Sequence, residues 1–404
     1  MKKKFLFPLM TLFAGTLVTS CSKDDKAPMG QTESGTLMVE NVSQVKDFVQ
    51  SGTFKGMGDP PVIFPGQSVS IKFNAGKGQY LAFATMYGAS KDWFFAPENP
   101  GLKLYNDNGS AKIGDVSEQI KLWDNGSKNN MTGATESQNI SQVPGVDASS
   151  LMKLDLAYNS EKSEFTLTIK NTSGGTMNET PFSPGVWAVS NVLGGTLLNK
   201  MPFFEAGKMS NPEITKIAEG GDITPAAAKI MTNTGIFTGL SPVVVVVYSG
   251  TENPIFKIDE KDMGNGLKEV AQTGDPSKLK TSLSALKNVK QVYVLGDAPI
   301  APGGKVTSSI KGDAGDKIAF VTMFGYSNDW FYGNNSELMF TSKGDLTSKV
   351  VLYDNGSALD QYPGAGNAQA LFGGVPIVQS HNIQMVGNEF SVPTVDKILK
   401  IKIN

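Results

Sequence analysis

Val321-Thr322-Met323-Phe324-Gly325-Tyr326-Ser327-Asn328-Asp329-Trp330-Phe331-Tyr332 has an earlier counterpart in the same chain, Ala84-Thr85-Met86-Tyr87-Gly88-Ala89-Ser90-Lys91-Asp92-Trp93-Phe94-Phe95. The match extends without gaps from Pro65 to Phe95 and from Pro302 to Tyr332, at a constant offset of 237, with 13 identities in 31 positions. Farther on, Leu122-Trp123-Asp124-Asn125-Gly126-Ser127 is answered by Leu352-Tyr353-Asp354-Asn355-Gly356-Ser357. Two motifs in the same order, twice, indicate two copies of one structural unit.

Outward from these motifs the signals are those of strands. Met152, Leu154 and Leu156 alternate with polar residues, as do Phe165, Leu167 and Ile169, with a polar turn between the two runs. Ile398 to Ile403 alternates again, and Asn-Gly turns recur. Many short strands joined by turns predict a mainly β chain of two antiparallel β-sandwich domains. The boundaries read as 37–158 for a first, shortened sandwich and 160–404 for a second.

Within 160–404 a smaller repeat stands out. Ser183-Pro184-Gly185-Val186-Trp187 leads to Ala218-Glu219-Gly220-Gly221-Asp222, and Ser241-Pro242 with Val243 to Val247 leads to Ala271-Gln272-Thr273-Gly274-Asp275. Each aspartate closes one short helix and opens another, beside Thr224-Pro225 or Asp275-Pro276. The expectation is two strand-helix-helix units, 183–240 and 241–290, both in the second domain and absent from the first.

The N-terminus reads as an export signal. Lys2, Lys3 and Lys4 precede the 14-residue uncharged run Phe5 to Val18, which is shorter than the roughly 20 residues a membrane span needs. Residues 1–20 are therefore expected to be cleaved. Leu17-Val18-Thr19-Ser20-Cys21 resembles a lipobox, and Cys21 is the only cysteine of the chain. Lipid on Cys21 is expected to attach the mature protein to the outer membrane, with 21–36 as a flexible tether. Ser22-Lys23-Asp24-Asp25-Lys26 resembles the surface-export tag of Bacteroidota lipoproteins, which implies display on the cell exterior.

Composition narrows the chemistry. The chain has 36 lysines, no arginine and one histidine, His381. Without arginine forks for phosphates and base edges, nucleic acid is not an expected partner. With Cys21 lipidated and a single histidine, a catalytic thiolate, a Ser-His-Asp triad and a multi-histidine zinc site are not expected. What remains is hard oxygen chemistry, which suits calcium.

The two repeated motifs, with the strand-helix-helix units, resemble the spondin N-terminal domain. The likeness covers 160–404 well and 37–158 as a shortened copy. It implies a C2-like β-sandwich holding calcium at one end, in proteins of extracellular attachment. In that family the metal is held by the aspartate of Asp-Trp-Phe, the aspartate of Leu-(Tyr/Trp)-Asp, and a carboxylate four positions later. The first two carry over as Asp329 and Asp354, and as Asp92 and Asp124. The third falls on Ala358 and Lys128, so Asp360 and Asn130, two positions on, are the candidate third ligands.

The buried-core reading is preferred for Trp93-Phe94-Phe95 and Trp330-Phe331-Tyr332 over an exposed ligand platform. The expected function is non-catalytic calcium-assisted binding of an extracellular protein or glycan. The alternatives are a structural envelope lipoprotein without a soluble ligand and a carboxylate-based hydrolase.

Overall fold

The computed structural model describes residues 32–334 and 336–404. The signal, Cys21 and most of the tether lie outside them.

The chain is mainly β, with 38% of residues in strands and 13% in helices, and among the described residues no sheet closes into a barrel. One sandwich has a sheet ordered Ser68–Asn74, Glu164–Asn171, Met152–Asn159 and Gly114–Asp115. Its facing sheet runs Phe48–Phe54, Phe182–Ser190, Tyr80–Tyr87, Trp93–Pro97, Ile120–Asp124 and Ser141–Gln142. The other sandwich reproduces this order strand for strand. One sheet is Lys305–Asp313, Thr32–Asn41, Leu399–Ile403 and Gly344–Asp345. The other is Val289–Leu295, Val243–Tyr248, Lys317–Met323, Trp330–Asn334, Val350–Asp354 and Gln384–Met385. Every pairing within these sheets is antiparallel.

This correspondence corrects the domain boundaries. Thr32–Asn41, whose first residues fall in the expected tether, pairs with Lys305–Asp313 and Leu399–Ile403 of the second sandwich. Glu164–Asn171, placed by sequence in the second domain, pairs with Ser68–Asn74 and Met152–Asn159 of the first. The first sandwich is thus the continuous stretch of about 43–235, inserted between the N-terminal strand and the remainder of the second. A split at 159 would cut the hairpin Met152–Asn159/Glu164–Asn171, which buries Leu154, Leu156, Phe165 and Leu167.

The helical units are also shared differently, one to each sandwich. Phe182–Ser190 and the helices Pro212–Gly220 and Thr224–Thr232 belong to the first, and Val243–Tyr248 with Leu267–Thr273 and Ser277–Ser284 to the second. Each helix pair covers the outer face of one sheet and makes a third layer. That layer explains the valine run: Val243, Val245 and Val247 face the inter-sheet core, while Val244, Val246 and Tyr248 face the helices. A strand covered on both sides loses the polar alternation.

The seams match to the hydrogen bond. Ser183 Oγ accepts from the Met86 N–H at 2.9 Å, and Ser241 Oγ from the Met323 N–H at 2.8 Å. Gly221 and Gly274 end their helices at φ 65° and 75°, a backbone conformation that favours glycine. A Cβ on Gly221 would also lie 2.7 Å from Ser183 Cβ, and one on Gly274 3.1 Å from Ser241 Cβ. Asp222 and Asp275 then accept the N–H of Thr224 and Ser277, joining the two helices of each pair.

A buried asparagine pins the same corner of each sandwich. Asn171 Nδ2 donates to the carbonyls of Ile63 and Thr180, and its Oδ1 accepts from Ser173 N–H and Oγ–H. Asn41 does the same with Thr238, Ile300 and Ser43. Removing such a side chain strands several buried polar groups. Asn171→Ala should therefore cost roughly 2–4 kcal/mol in urea unfolding, whereas a change under about 0.5 kcal/mol would mean that the corner is not stabilised this way.

The sandwiches touch through residues 361–372. Gln361 Nε2 donates to the Glu161 carbonyl at 2.9 Å, the Asn367 N–H to Ser163 Oγ at 2.9 Å, and Gln79 Nε2 to the Gly364 carbonyl at 2.9 Å.

Candidate metal centre

The duplicated motif folds as a tight turn followed by a strand. Ser327 Oγ donates to the Phe324 carbonyl and accepts the Trp330 N–H, and Ser90 bridges Tyr87 and Trp93 in the same way. This aims Asp329 and Asp92 at the loop after the neighbouring strand. Asp329 Oδ2 accepts from Ser357 N–H at 2.7 Å, Ser357 Oγ–H at 3.0 Å and Ala358 N–H at 2.8 Å. Asp92 Oδ2 accepts the equivalent three bonds from Ser127 and Lys128, at 2.8, 3.2 and 2.8 Å. The Asp-Asn-Gly sequences therefore do more than turn the chain. Asp354 and Asp124 accept the N–H of Gly356 and Gly126 through Oδ1, and both glycines have positive φ, 73° and 69°. Each loop is folded around a buried aspartate.

Beyond this shared frame the sites diverge. In the second sandwich Asp329, Asp354 and Asp360 bring one oxygen each within 4.8 Å of the others. Asp329 is fully buried, and its Oδ1 has no hydrogen-bond partner. Asp360 Oδ1 is also buried without a well-formed hydrogen bond, although the neighbouring Trp330 indole slightly favours its ionised form. Asp354 Oδ2 faces His381 Nε2 at 3.2 Å. Burial, then the charges of Asp354 and Asp329, pushes the Asp360 carboxyl up to about 8. Burial and then Asp354 push Asp329 up to about 6. Asp354 is raised as well, chiefly by burial, against the opposing pull of Gly356 N–H and His381. Anionic oxygens this close and this dry need a cation or protons between them.

In the first sandwich the place of Asp360 is taken by Asn130, six positions after Asp124 as Asp360 is after Asp354. Here the sequence expectation is corrected. Asn130 offers its amide nitrogen, not its oxygen, to the aspartates: Nδ2 donates to Asp92 Oδ1 at 2.8 Å and to Asp124 Oδ2 at 3.3 Å. Its Oδ1 is turned away and accepts the Lys91 N–H at 2.9 Å. Trp93 Nε1 donates to Asp124 Oδ2 at 2.9 Å. All four oxygens of Asp92 and Asp124 are thus satisfied by N–H or O–H donors. The Lys128 ammonium lies 3.9 Å from the Glu219 carboxylate.

The aromatic residues of the motifs are core. Phe94, Phe95, Trp330, Phe331 and Tyr332 are buried, and Trp93 is half-buried against Tyr87. His381 joins the site only in the folded chain. The Gly356 carbonyl, in the loop after Asp354, accepts the His381 N–H at 3.0 Å and holds the ring beside Asp354. No sequence spacing signals that contact.

The second-sandwich residues fit a hard dication. Calcium takes six to eight oxygens at about 2.3–2.6 Å. Asp329, Asp354 and Asp360 would supply the anionic part of that shell. A cleft of about 430 Å³ opens onto Asp354 and Asp360, between Glu161 and Lys162 of one sandwich and Gln384 and Glu389 of the other. It leaves room for water or a ligand oxygen to complete the coordination. No protein-family model matches the chain, and no curated protein matches it.

Proposed function

We propose that this chain is a surface-displayed lipoprotein, anchored through Cys21, that binds an extracellular protein or glycan without catalysis. In this reading calcium at Asp329, Asp354 and Asp360 orders the end of its second spondin-like sandwich. The observation that supports the calcium is Asp329 Oδ1, buried and unpartnered in a residue grouped with two further carboxylates. Among those residues, Asp329 is oriented by the Ser357 and Ala358 N–H groups and Asp354 by the Gly356 N–H, so their remaining oxygens converge without reorganisation. The ion would supply fixed positive charge and open coordination positions toward the cleft. Gln361, the residue after Asp360, holds the first sandwich, which couples order at the site to the seam between domains.

Retention of intact cells bearing the full chain on an array of matrix proteins and neutral and acidic glycans tests the reading. Cells should be retained in millimolar calcium and released by chelator, and Cys21→Ala cells should lose both the protein and the retention. Retention on no feature, or retention indifferent to calcium, would remove the proposed role.

A further inference from the structure

We propose that the first sandwich takes no cation because the Asn130 carboxamide occupies the place of one, and that this single side chain decides which of the two ends responds to calcium. The inference deepens the calcium reading of the second end and rests on it only for the comparison between ends.

The two loops superimpose in sequence and in bonding up to the third residue. Asp92 and Asp329 each place Oδ2 on three donors of the opposite loop. Asp124 and Asp354 each hold a glycine N–H through Oδ1. What is left over in each case is one oxygen of the first aspartate and one of the second. In the first end both point at the same Nδ2 group, at 2.8 and 3.3 Å, and Trp93 Nε1 adds a second donor to the Asp124 oxygen at 2.9 Å, whereas the matching oxygen of Asp354 faces the His381 ring at 3.2 Å. An amide NH2 carries two donors and partial positive charge, so it can bridge two carboxylates that would otherwise demand a metal. In the second end the corresponding residue is Asp360, a third anion in place of a donor, and Asp329 Oδ1 is left without any partner.

A carboxylate and a carboxamide have nearly the same shape, so the exchange changes charge and donor pattern with little change in packing. Asn130 is also held from behind by the Lys91 N–H. A carboxylate at position 130 could keep that bond through one oxygen and present the other to Asp92 and Asp124. The first end would then hold three converging carboxylates at the spacing of the second.

The test uses the full mature chain with Asp329→Asn as background, so that the second site is silent. Calcium titration followed by calorimetry, and terbium luminescence sensitised by Trp93, should show no ion at the first end. Adding Asn130→Asp should raise the stoichiometry from zero to one and turn on the luminescence. A background variant that already binds one ion at the first end would overturn the proposal. So would Asn130→Asp that folds with native circular dichroism and binds none. Asn130→Ala guards against a variant that fails to fold: it removes the bridge and should lower the melting temperature by several degrees in chelator. An unchanged melting temperature there would equally overturn it. Failure of the wild-type chain to bind calcium, with Asn130→Asp still gaining a site, would count against the proposed function and leave this inference standing.

Discussion

Calcium added to the chelated full chain should raise the melting temperature of the second sandwich by about 5–10 °C. A ligand that binds only the native state stabilises it by about 2.7 kcal/mol at one hundred times its dissociation constant. For a domain of this size each kcal/mol is worth roughly 2–4 °C. The sign is reinforced by the apo state, in which Asp360 and Asp329 sit at about 8 and about 6. Both lie above the roughly 3.9 of an unfolded aspartate, so the native state binds more protons than the unfolded one between those limits. In chelator, stability should therefore fall as pH rises from about 4 to about 8, and calcium should restore most at the upper end. Asp329→Asn should abolish the calcium response. It should also make the chelated protein at least as stable as wild type, because its Nδ2 would face Asp354 and Asp360 much as Asn130 faces Asp92 and Asp124. Melting curves at pH 5 and pH 8 that are unchanged by several millimolar calcium would eliminate the metal. A chelated-state stability that rises with pH would contradict the burial of the three carboxylates.

Fragments cut at the two sets of boundaries should behave in opposite ways. Residues 43–235 contain all strands of the first sandwich and its helix pair, and should fold alone with a cooperative transition and a mostly β circular dichroism spectrum. Residues 160–404 should not. That piece lacks Thr32–Asn41, which lies between Lys305–Asp313 and Leu399–Ile403, and so exposes two unpaired edges and the pocket of Leu37 and Val39. It also carries Glu164–Asn171 and Phe182–Ser190 without the strands they pair with. Exposed edges of this kind favour aggregation. Adding a peptide of residues 32–43 to a 236–404 fragment should recover soluble, cooperatively melting material. A stable, monomeric 160–404 fragment would refute the insertion.

The domain limits differ from the repeat pattern because the two copies order their strands differently along the chain. The offset of 237 aligns the segments that run in parallel order in both copies, Pro65 to Phe95 and Pro302 to Tyr332. Leu37-Met38-Val39-Glu40-Asn41-Val42-Ser43 repeats as Leu167-Thr168-Ile169-Lys170-Asn171-Thr172-Ser173, but at an offset of 130. Two incompatible offsets accompany a strand displaced in chain order, and the pairing of Thr32–Asn41 with the second sandwich and of Glu164–Asn171 with the first shows which strand it is. The units beginning at Ser183 and Ser241 are likewise one to each copy, because the copies are ordered differently around the insertion.

The sequence by itself determined what depends on local pattern. Alternating and all-apolar runs specified strands, Asp222 and Asp275 specified helix junctions, and the duplicated Asp-Trp-Phe and Asp-Asn-Gly motifs specified two equivalent loop frames. Only the tertiary structure decided which sheet each strand joins, since pairing satisfies backbone groups far apart in the chain and leaves the same alternation whichever partner is chosen. It alone decided the unequal chemistry of the two ends. Asn130 in sequence is an oxygen ligand as readily as a nitrogen donor, and the choice was made by Lys91, whose N–H claims the oxygen and turns the NH2 toward Asp92 and Asp124.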